Sequence, residues 1–276
     1  MDITLLGTGN PQPNLRRAGP SNHLAIGKQS VLLDCGSGTV HQLVKAGRDA
    51  KDLDYLFITH MHSDHTVDIA HVLITGWIRY RDKPIRIVGP PQTKEFVARV
   101  LHAFEFDLRL RRLEDRVGKN IMTVEVTEVS DGDVFEADGW KATAVEVEHG
   151  YVKPSLGFVF DDGKAKIMVS GDTTGCDAVR DASRGVDLLV HELMRDSESG
   201  DPHDDKLAAV PELRRRIIES HTCPHQLGPI ARTADVPRLA LTHMSAATDD
   251  AWVRDIIASD YKGEIIMGED LTTITV

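Results

Sequence analysis

The sequence predicts an α/β protein of two similar halves, with two mixed β-sheets packed face to face and helices outside. Two observations carry this. Short apolar runs of strand length alternate along the chain with segments of helical periodicity. Two strand-plus-turn segments also recur. Phe57-Ile58-Thr59-His60-Met61 is echoed by Ala240-Leu241-Thr242-His243-Met244, and Leu32-Leu33-Asp34-Cys35-Gly36 by Met168-Val169-Ser170-Gly171-Asp172. In the first pair an apolar strand delivers a histidine at its C-terminal end. Packing the halves sheet to sheet places both histidines in one cleft.

The elements follow from local pattern. Asp2–Leu6, His23–Ile26 and Ser30–Leu33 are short β-type runs, the last ending in the turn 34–38. Val40–Ala46 is helical and Gly47 ends it. Tyr55–Thr59 is a buried-type strand leading into His60, and Thr66–Tyr80 carries a helical apolar face. Ile85–Val88 is a strand stopped by Gly89-Pro90-Pro91, and Thr93–Phe106 is a helix. In the second half Thr123–Val129 and Lys141–Val147 are strands. Leu156–Phe160 and Lys166–Val169 form a hairpin around Asp161-Asp162-Gly163. Asp187–Val190 is a strand ending at His191-Glu192, and polar Arg195–Asp205 reads as a mobile surface loop. Glu212–Glu219, Gln226–Ala234 and Ala251–Ser259 are helical, and strand Arg238–Thr242 ends at His243.

Composition bounds the class. The 276 residues, 41% hydrophobic and 27% charged, supply one sizeable core, so residues 1–276 are expected to form one domain. No run of about 18 apolar residues occurs, which argues against a membrane span. The N-terminus lacks a basic leader and reads as structure, not a signal peptide. Three cysteines, Cys35, Cys176 and Cys223, point to a reduced, cytoplasmic compartment. A net charge of −11 disfavours broad nucleic-acid binding, although bound cations or a local basic patch could override it.

The decisive segment is Thr59-His60-Met61-His62-Ser63-Asp64-His65, with four metal-competent side chains in six residues after an apolar strand. On an extended stretch His60 and His62 point the same way. Asp64 and His65 then open the next helix, turned to a neighbouring position. One loop can therefore offer two imidazoles to one cation, and a carboxylate plus an imidazole to a second. These are the donors zinc takes in catalytic sites.

This H-x-H-x-D-H pattern resembles the metallo-β-lactamase superfamily. Further matches resemble its ribonuclease Z and arylsulfatase-like branch: Leu6-Gly7-Thr8-Gly9, Arg17-Ala18-Gly19-Pro20, Leu33-Asp34-Cys35-Gly36, Ser170-Gly171-Asp172-Thr173, Ser220-His221-Thr222-Cys223-Pro224 and Leu241-Thr242-His243. The resemblance implies an αββα sandwich with two divalent cations at one edge, zinc first and Mn²⁺ or Fe²⁺ as substitutes. By that similarity His149 joins His60 and His62 on the first cation. Asp64, His65 and His243 hold the second, and Asp172 bridges the two. One departure is Asp68, where the superfamily often has glycine. It is either a solvated aspartate or an acceptor for a ligand N–H.

The expected chemistry is ester hydrolysis by metal-activated hydroxide, oriented by Asp64. In the resembled branch a Glu and a His assist leaving-group protonation; those positions here are Glu192 and His221. The long arm that grips tRNA in many ribonuclease Z proteins lies between the motifs of His149 and Asp172. That gap is 172 − 149 = 23 residues here, filled by a hairpin. The short gap and the acidic charge favour a small-molecule phosphodiester or sulfate ester. A ribonuclease Z-type tRNA 3′ endonuclease is the alternative, followed by lactonase or β-lactamase chemistry. A catalytically dead metal-binding protein is expected to lack a ligand or the Glu/His pair, and all are present. The cluster Arg109, Arg111, Arg112 and Arg116 suits an anionic substrate, a solvated helix face or a homodimer contact. His23, His41, His71, His102, His203 and His225 have no motif support and read as core or surface histidines.

Overall fold

The computed structural model describes residues 1–114, 123–194 and 211–276. In the first sheet β1 (Asp2–Gly7), β2 (Ser21–Ile26), β3 (Gln29–Leu33), β4 (Tyr55–Phe57), β5 (Ile85–Gly89) and β6 (Val124–Glu128) lie side by side in that order. The last strand, β14 (Thr272–Thr275), pairs with the free side of β1. The second sheet runs in chain order through β7 (Val134–Ala137), β8 (Trp140–His149), β9 (Val152–Asp161), β10 (Lys166–Val169), β11 (Leu188–Glu192), β12 (Arg238–Thr242) and β13 (Glu264–Met267).

Both sheets have the same plan. From β14 to β3 the pairings are antiparallel and from β3 to β6 parallel; from β7 to β10 they are antiparallel and from β10 to β13 parallel. The echo of Leu32–Gly36 in Met168–Asp172 is therefore exact in position, because β3 and β10 are equivalent strands. The other echo is offset by one strand. The equivalent of β4 is β11, whereas the matching His243 follows β12. Two apolar strands in the parallel half of each sheet converge on one edge, so resemblance in local pattern does not require the same rank in the sheet.

Period-two alternation explains the layers. On β3, Val31 and Leu33 enter the core between the sheets while Leu32 faces outward; on β4, Tyr55 and Phe57 face inward and Leu56 outward. Phe57 meets Phe158 and Phe160 edge to face, each at 5.2 Å between ring centroids. Truncating such a buried ring costs roughly 3–5 kcal/mol. The outward face of the first sheet is covered by α1 (Thr39–Lys45), α3 (Ile69–Ile78) and α4 (Thr93–Ala103). Helix α3 buries Ile69, Val72, Leu73, Gly76 and Trp77, the i, i+3, i+4, i+7 stripe of an amphipathic helix. Helices α6 (Asp177–Ala182), α8 (Pro224–Ala234) and α9 (Asp250–Asp260) cover the second sheet.

Two long helices of the sequence reading are each divided. Thr66–Tyr80 consists of α2 (Ser63–Thr66), which starts three residues earlier, and α3. The break falls where the Asp68 N–H donates to the Cys35 carbonyl, at 3.0 Å, instead of continuing a helix. Thr93–Phe106 covers α4 and only the first two residues of a second helix, α5 (Glu105–Leu113), with Phe104 at the junction. The polar stretch Arg195–Asp205, with His203, and Arg116 lie outside the described residues. Helix α7 (Pro211–Glu219) follows. No helix among the described residues is long and apolar enough to cross a membrane.

Candidate metal centre and active site

Every singled-out ligand candidate arrives at one edge of the sandwich. His60 and His62 lie between β4 and α2, Asp64 and His65 in α2, and His149 ends β8; Asp172 follows β10 and His243 follows β12. Two groups of four donors form there. His60, His62, His149 and Asp172 make one, and Asp64, His65, Asp172 and His243 the other; within each group the donor atoms lie within 4.8 Å of one another.

Asp172 is the shared member. Its Oδ2 lies 3.3 Å from His65 Nε2 and from His243 Nε2, and 3.9 Å from His60 Nε2 and from His149 Nε2. Burial opposes its charge, but His243 and His65 outweigh that and hold the carboxyl well below the usual carboxylate range. The turn that delivers it needs glycine. Gly171 has φ +62°, and a Cβ there would stand 2.5 Å from the Leu156 carbonyl oxygen.

The imidazoles are oriented from behind. The His65 Nδ1–H donates to Asp34 Oδ2 at 2.8 Å, and the His149 Nδ1–H donates to the Ser220 carbonyl at 2.8 Å. The Thr59 hydroxyl donates to the Asp34 carboxylate, so its lone pair is left to accept the His60 Nδ1–H at 3.0 Å. Asp34 thus sets two tautomers, one directly and one through Thr59, and both Nε2 lone pairs face the centre. The buried Nε2 atoms of His60 and His65 and Nδ1 of His243 have no hydrogen-bond partner in the protein. Such atoms are costly unless a further partner takes them. The unpartnered Nε2 atoms of His60 and His65 both face the buried Asp172 carboxylate, a donor set that fits divalent cations. Burial also pushes His60 well below its ordinary pKa, which keeps the ring neutral with a lone pair to offer.

Glu192 and His221 stand beside this set. Glu192 Oε1 is 2.8 Å from His221 Nδ1 and accepts the Thr173 N–H at 3.1 Å and the Thr222 N–H at 3.3 Å. Burial lowers the His221 pKa, but the charge and hydrogen bond of Glu192 outweigh it and raise it to about 9. The His221 ring stacks on His243 with centroids 5.6 Å apart. A cleft of about 900 Å³ opens over the centre, lined by His62, Asp64, His149, Asp172, His221 and His243 among others.

Other expectations fall outside the centre. Asp68 is half-buried and accepts the Gly38 N–H at 3.0 Å, which matches neither of its two readings. Arg109, Arg111 and Arg112 lie on α5, which does not line the cleft, and Arg111 pairs with Asp107 at 2.7 Å. His23 is a core histidine bonded to Ser30 Oγ, and His41 packs against His71. Sequence reasoning missed Asp34, Thr59 and the Ser220 carbonyl as orienting groups. Asp34 could have been found from its φ of +60°, were backbone angles legible; Leu33-Asp34-Cys35-Gly36 alone gave it no role.

Two adjacent four-donor groups sharing a carboxylate, at the edge of an αββα sandwich, define the class as a dinuclear metal-dependent hydrolase. The Beta-lactamase superfamily domain matches residues 29–244. The chain is 34% identical over 284 aligned residues to a protein named Ribonuclease Z from Mycobacterium avium, covering all of this chain and 98% of that one. A Ribonuclease Z from Mycolicibacterium gilvum is also 34% identical, covering all of this chain and 96% of that one. Among solved structures the fold is similar to the metallo-beta-lactamase fold protein YhfI from Bacillus subtilis, with TM-score 0.75, 18% identity and coverage of 99% of this chain and 98% of that one. It is also similar to the short form of human tRNase Z, with TM-score 0.71, 24% identity and coverage of 100% and 99%. The chain belongs to the metallo-β-lactamase superfamily, in the branch of the ribonuclease Z proteins.

Proposed function

We propose that the protein is a zinc-dependent ribonuclease Z-type phosphodiesterase that removes 3′ trailers from transfer-RNA precursors. The observation that carries this reading is the end-to-end identity of 34% with relatives named Ribonuclease Z. It outweighs the expectation of a small-molecule ester, whose strongest support was the short gap between His149 and Asp172. A relative aligned over 98% of its length with this chain has no room for a long additional arm either. Arg215 and Arg216 line the same cleft but are paired with Glu212 and Glu219, so this reading stands on the end-to-end identity and not on local charge.

In this reading His60, His62 and His149 would hold one cation and Asp64, His65 and His243 the other, with Asp172 available to both. Divalent ions bound there would supply Lewis-acid chemistry, lowering the pKa of an attacking water and offsetting charge on the phosphate. Asp64 lies at the cleft wall, its Oδ2 3.3 Å from His243 Nε2, and orients the attacking water. His221, held through Nδ1 by Glu192, presents Nε2 to the leaving oxygen and protonates it.

The test is incubation of zinc-loaded protein with a transfer-RNA precursor bearing a defined 3′ trailer. One cut at the base of the trailer is expected. Intact RNA, with rapid turnover of a simple phosphodiester or sulfate ester under the same conditions, returns the assignment to small molecules.

A further inference from the structure

We propose that Tyr151 is a stacking platform for a nucleobase attached to the phosphodiester held at the metal centre, and so selects nucleotides over other diesters. The inference rests on the phosphodiesterase reading and adds a base subsite to it.

Tyr151 is 92% exposed, and its side chain makes no hydrogen bond or ring contact among the described residues. A lone exposed aromatic is ordinary on a protein surface. This one is distinguished by place. Of the large hydrophobic side chains exposed among the described residues, Tyr151 alone lines the cleft over the centre.

Its backbone position is set by the hairpin. His149 pairs with Val152 across the β8–β9 hairpin, so Gly150 and Tyr151 form a two-residue turn. Gly150 has φ +56°, and a Cβ there would come within 3.1 Å of Ser220 Cβ, so the turn sits tightly on that residue. The Ser220 carbonyl is the group that orients His149. One short rigid turn therefore carries both a candidate ligand and the exposed ring. Two residues of chain span at most about 7 Å, the order of distance between a nucleotide's phosphate and its own base.

The surroundings fit the same occupant. Val152, Met194, Ile217 and Ile218 give the cleft apolar wall, and Arg215 and Arg216 line it as well, paired with Glu212 and Glu219. A base offers a flat apolar face and its ribose phosphates carry the charge. Stacking is tolerant of base identity, and a tyrosine ring orders at small entropic cost.

The test compares binding of adenosine 5′-monophosphate and ribose 5-phosphate, which differ only in the base, by calorimetry on zinc-loaded protein. Wild type is expected to bind the nucleotide about tenfold or more tightly, the usual worth of one stacked base. Tyr151→Ala should bring the two affinities within about twofold of each other, and Tyr151→Phe should keep the difference. Equal affinities in wild type overturn the base subsite. A preference that survives Tyr151→Ala overturns the role of this residue. Loss of the preference in Tyr151→Ala, in a protein that leaves precursor RNA uncut, keeps the subsite and refutes the proposed function instead.

Discussion

Glu192 Oε1 lies 2.8 Å from His221 Nδ1, and two backbone N–H groups, of Thr173 and Thr222, hold that same oxygen in place. The carboxylate therefore charges and aims one imidazole without contributing to either four-donor group with His60 or His65. Replacing His221 by Ala should leave both metals bound and lower kcat by roughly 10²–10⁴, the usual worth of a positioned general acid. The loss should shrink for esters of good leaving groups such as p-nitrophenol. Glu192→Gln should act in the same direction and less. Loss of a metal in His221→Ala would show that His221 is a ligand.

The shared position of Asp172 predicts about two equivalents of zinc per chain by elemental analysis. Chelation should abolish hydrolysis and lower Tm, since a ligand present at 1,000 times its Kd stabilises by about 4 kcal/mol. Asp172→Ala should disturb both sites at once. A protein that saturates at one equivalent on titration contradicts the dinuclear centre.

Asp34→Asn tests the orienting role behind the ligands. An amide cannot accept equally from His65 and Thr59 in the manner of the carboxylate, so both tautomers lose their anchor. Metal affinity should fall roughly 10–100-fold, measured by competition with a chromophoric chelator, with far-ultraviolet circular dichroism unchanged. Wild-type affinity in this variant removes Asp34 from the site.

His23 carries a pH effect on stability that is separate from the centre. Burial, and then the charge of Arg48, lowers its pKa from 6.5 to about 4. A histidine whose folded pKa is depressed adds nothing to pH dependence above 6.5, where it is neutral in both states. As pH falls from 6.5 towards 4 the unfolded chain binds the proton first, and stability is lost, by about 3 kcal/mol in all. Urea unfolding at pH 7 and pH 4.5 should show His23→Gln losing less stability over that interval than wild type. Equal losses would mean that His23 titrates normally.

Part of the candidate donor set was legible because His60, Asp172 and His243 each follow an apolar strand of a parallel half-sheet, and such strands end at the same edge. His60 after β4 and His243 after β12 are the clear cases. His149, the weakest motif, ends β8 in the antiparallel half of the second sheet, and its assignment rests on the resemblance. The orienting groups were not legible: Asp34 precedes His65 by 31 residues, and Ser220 acts through a backbone carbonyl that carries no residue type. Among the elements, β7, β13, β14 and α6 were missed, and α5 was reached only at Glu105 and Phe106. Strand β7 is a four-residue edge with no buried position, and β14 is mostly Thr with a single buried Ile274, so neither has an apolar run to read. The division of Thr66–Tyr80 depends on a hydrogen bond from Asp68 to Cys35, a tertiary contact that no helical periodicity encodes.

Each four-donor group takes side chains from both sheets: His60, His62, Asp64 and His65 come from the first, and His149, Asp172 and His243 from the second. Neither half of the chain can assemble a complete coordination shell alone. An ion seated there acts as a rivet, and its affinity becomes adhesion between the halves. Prying the sandwich apart and emptying the centre are then one event seen by two instruments.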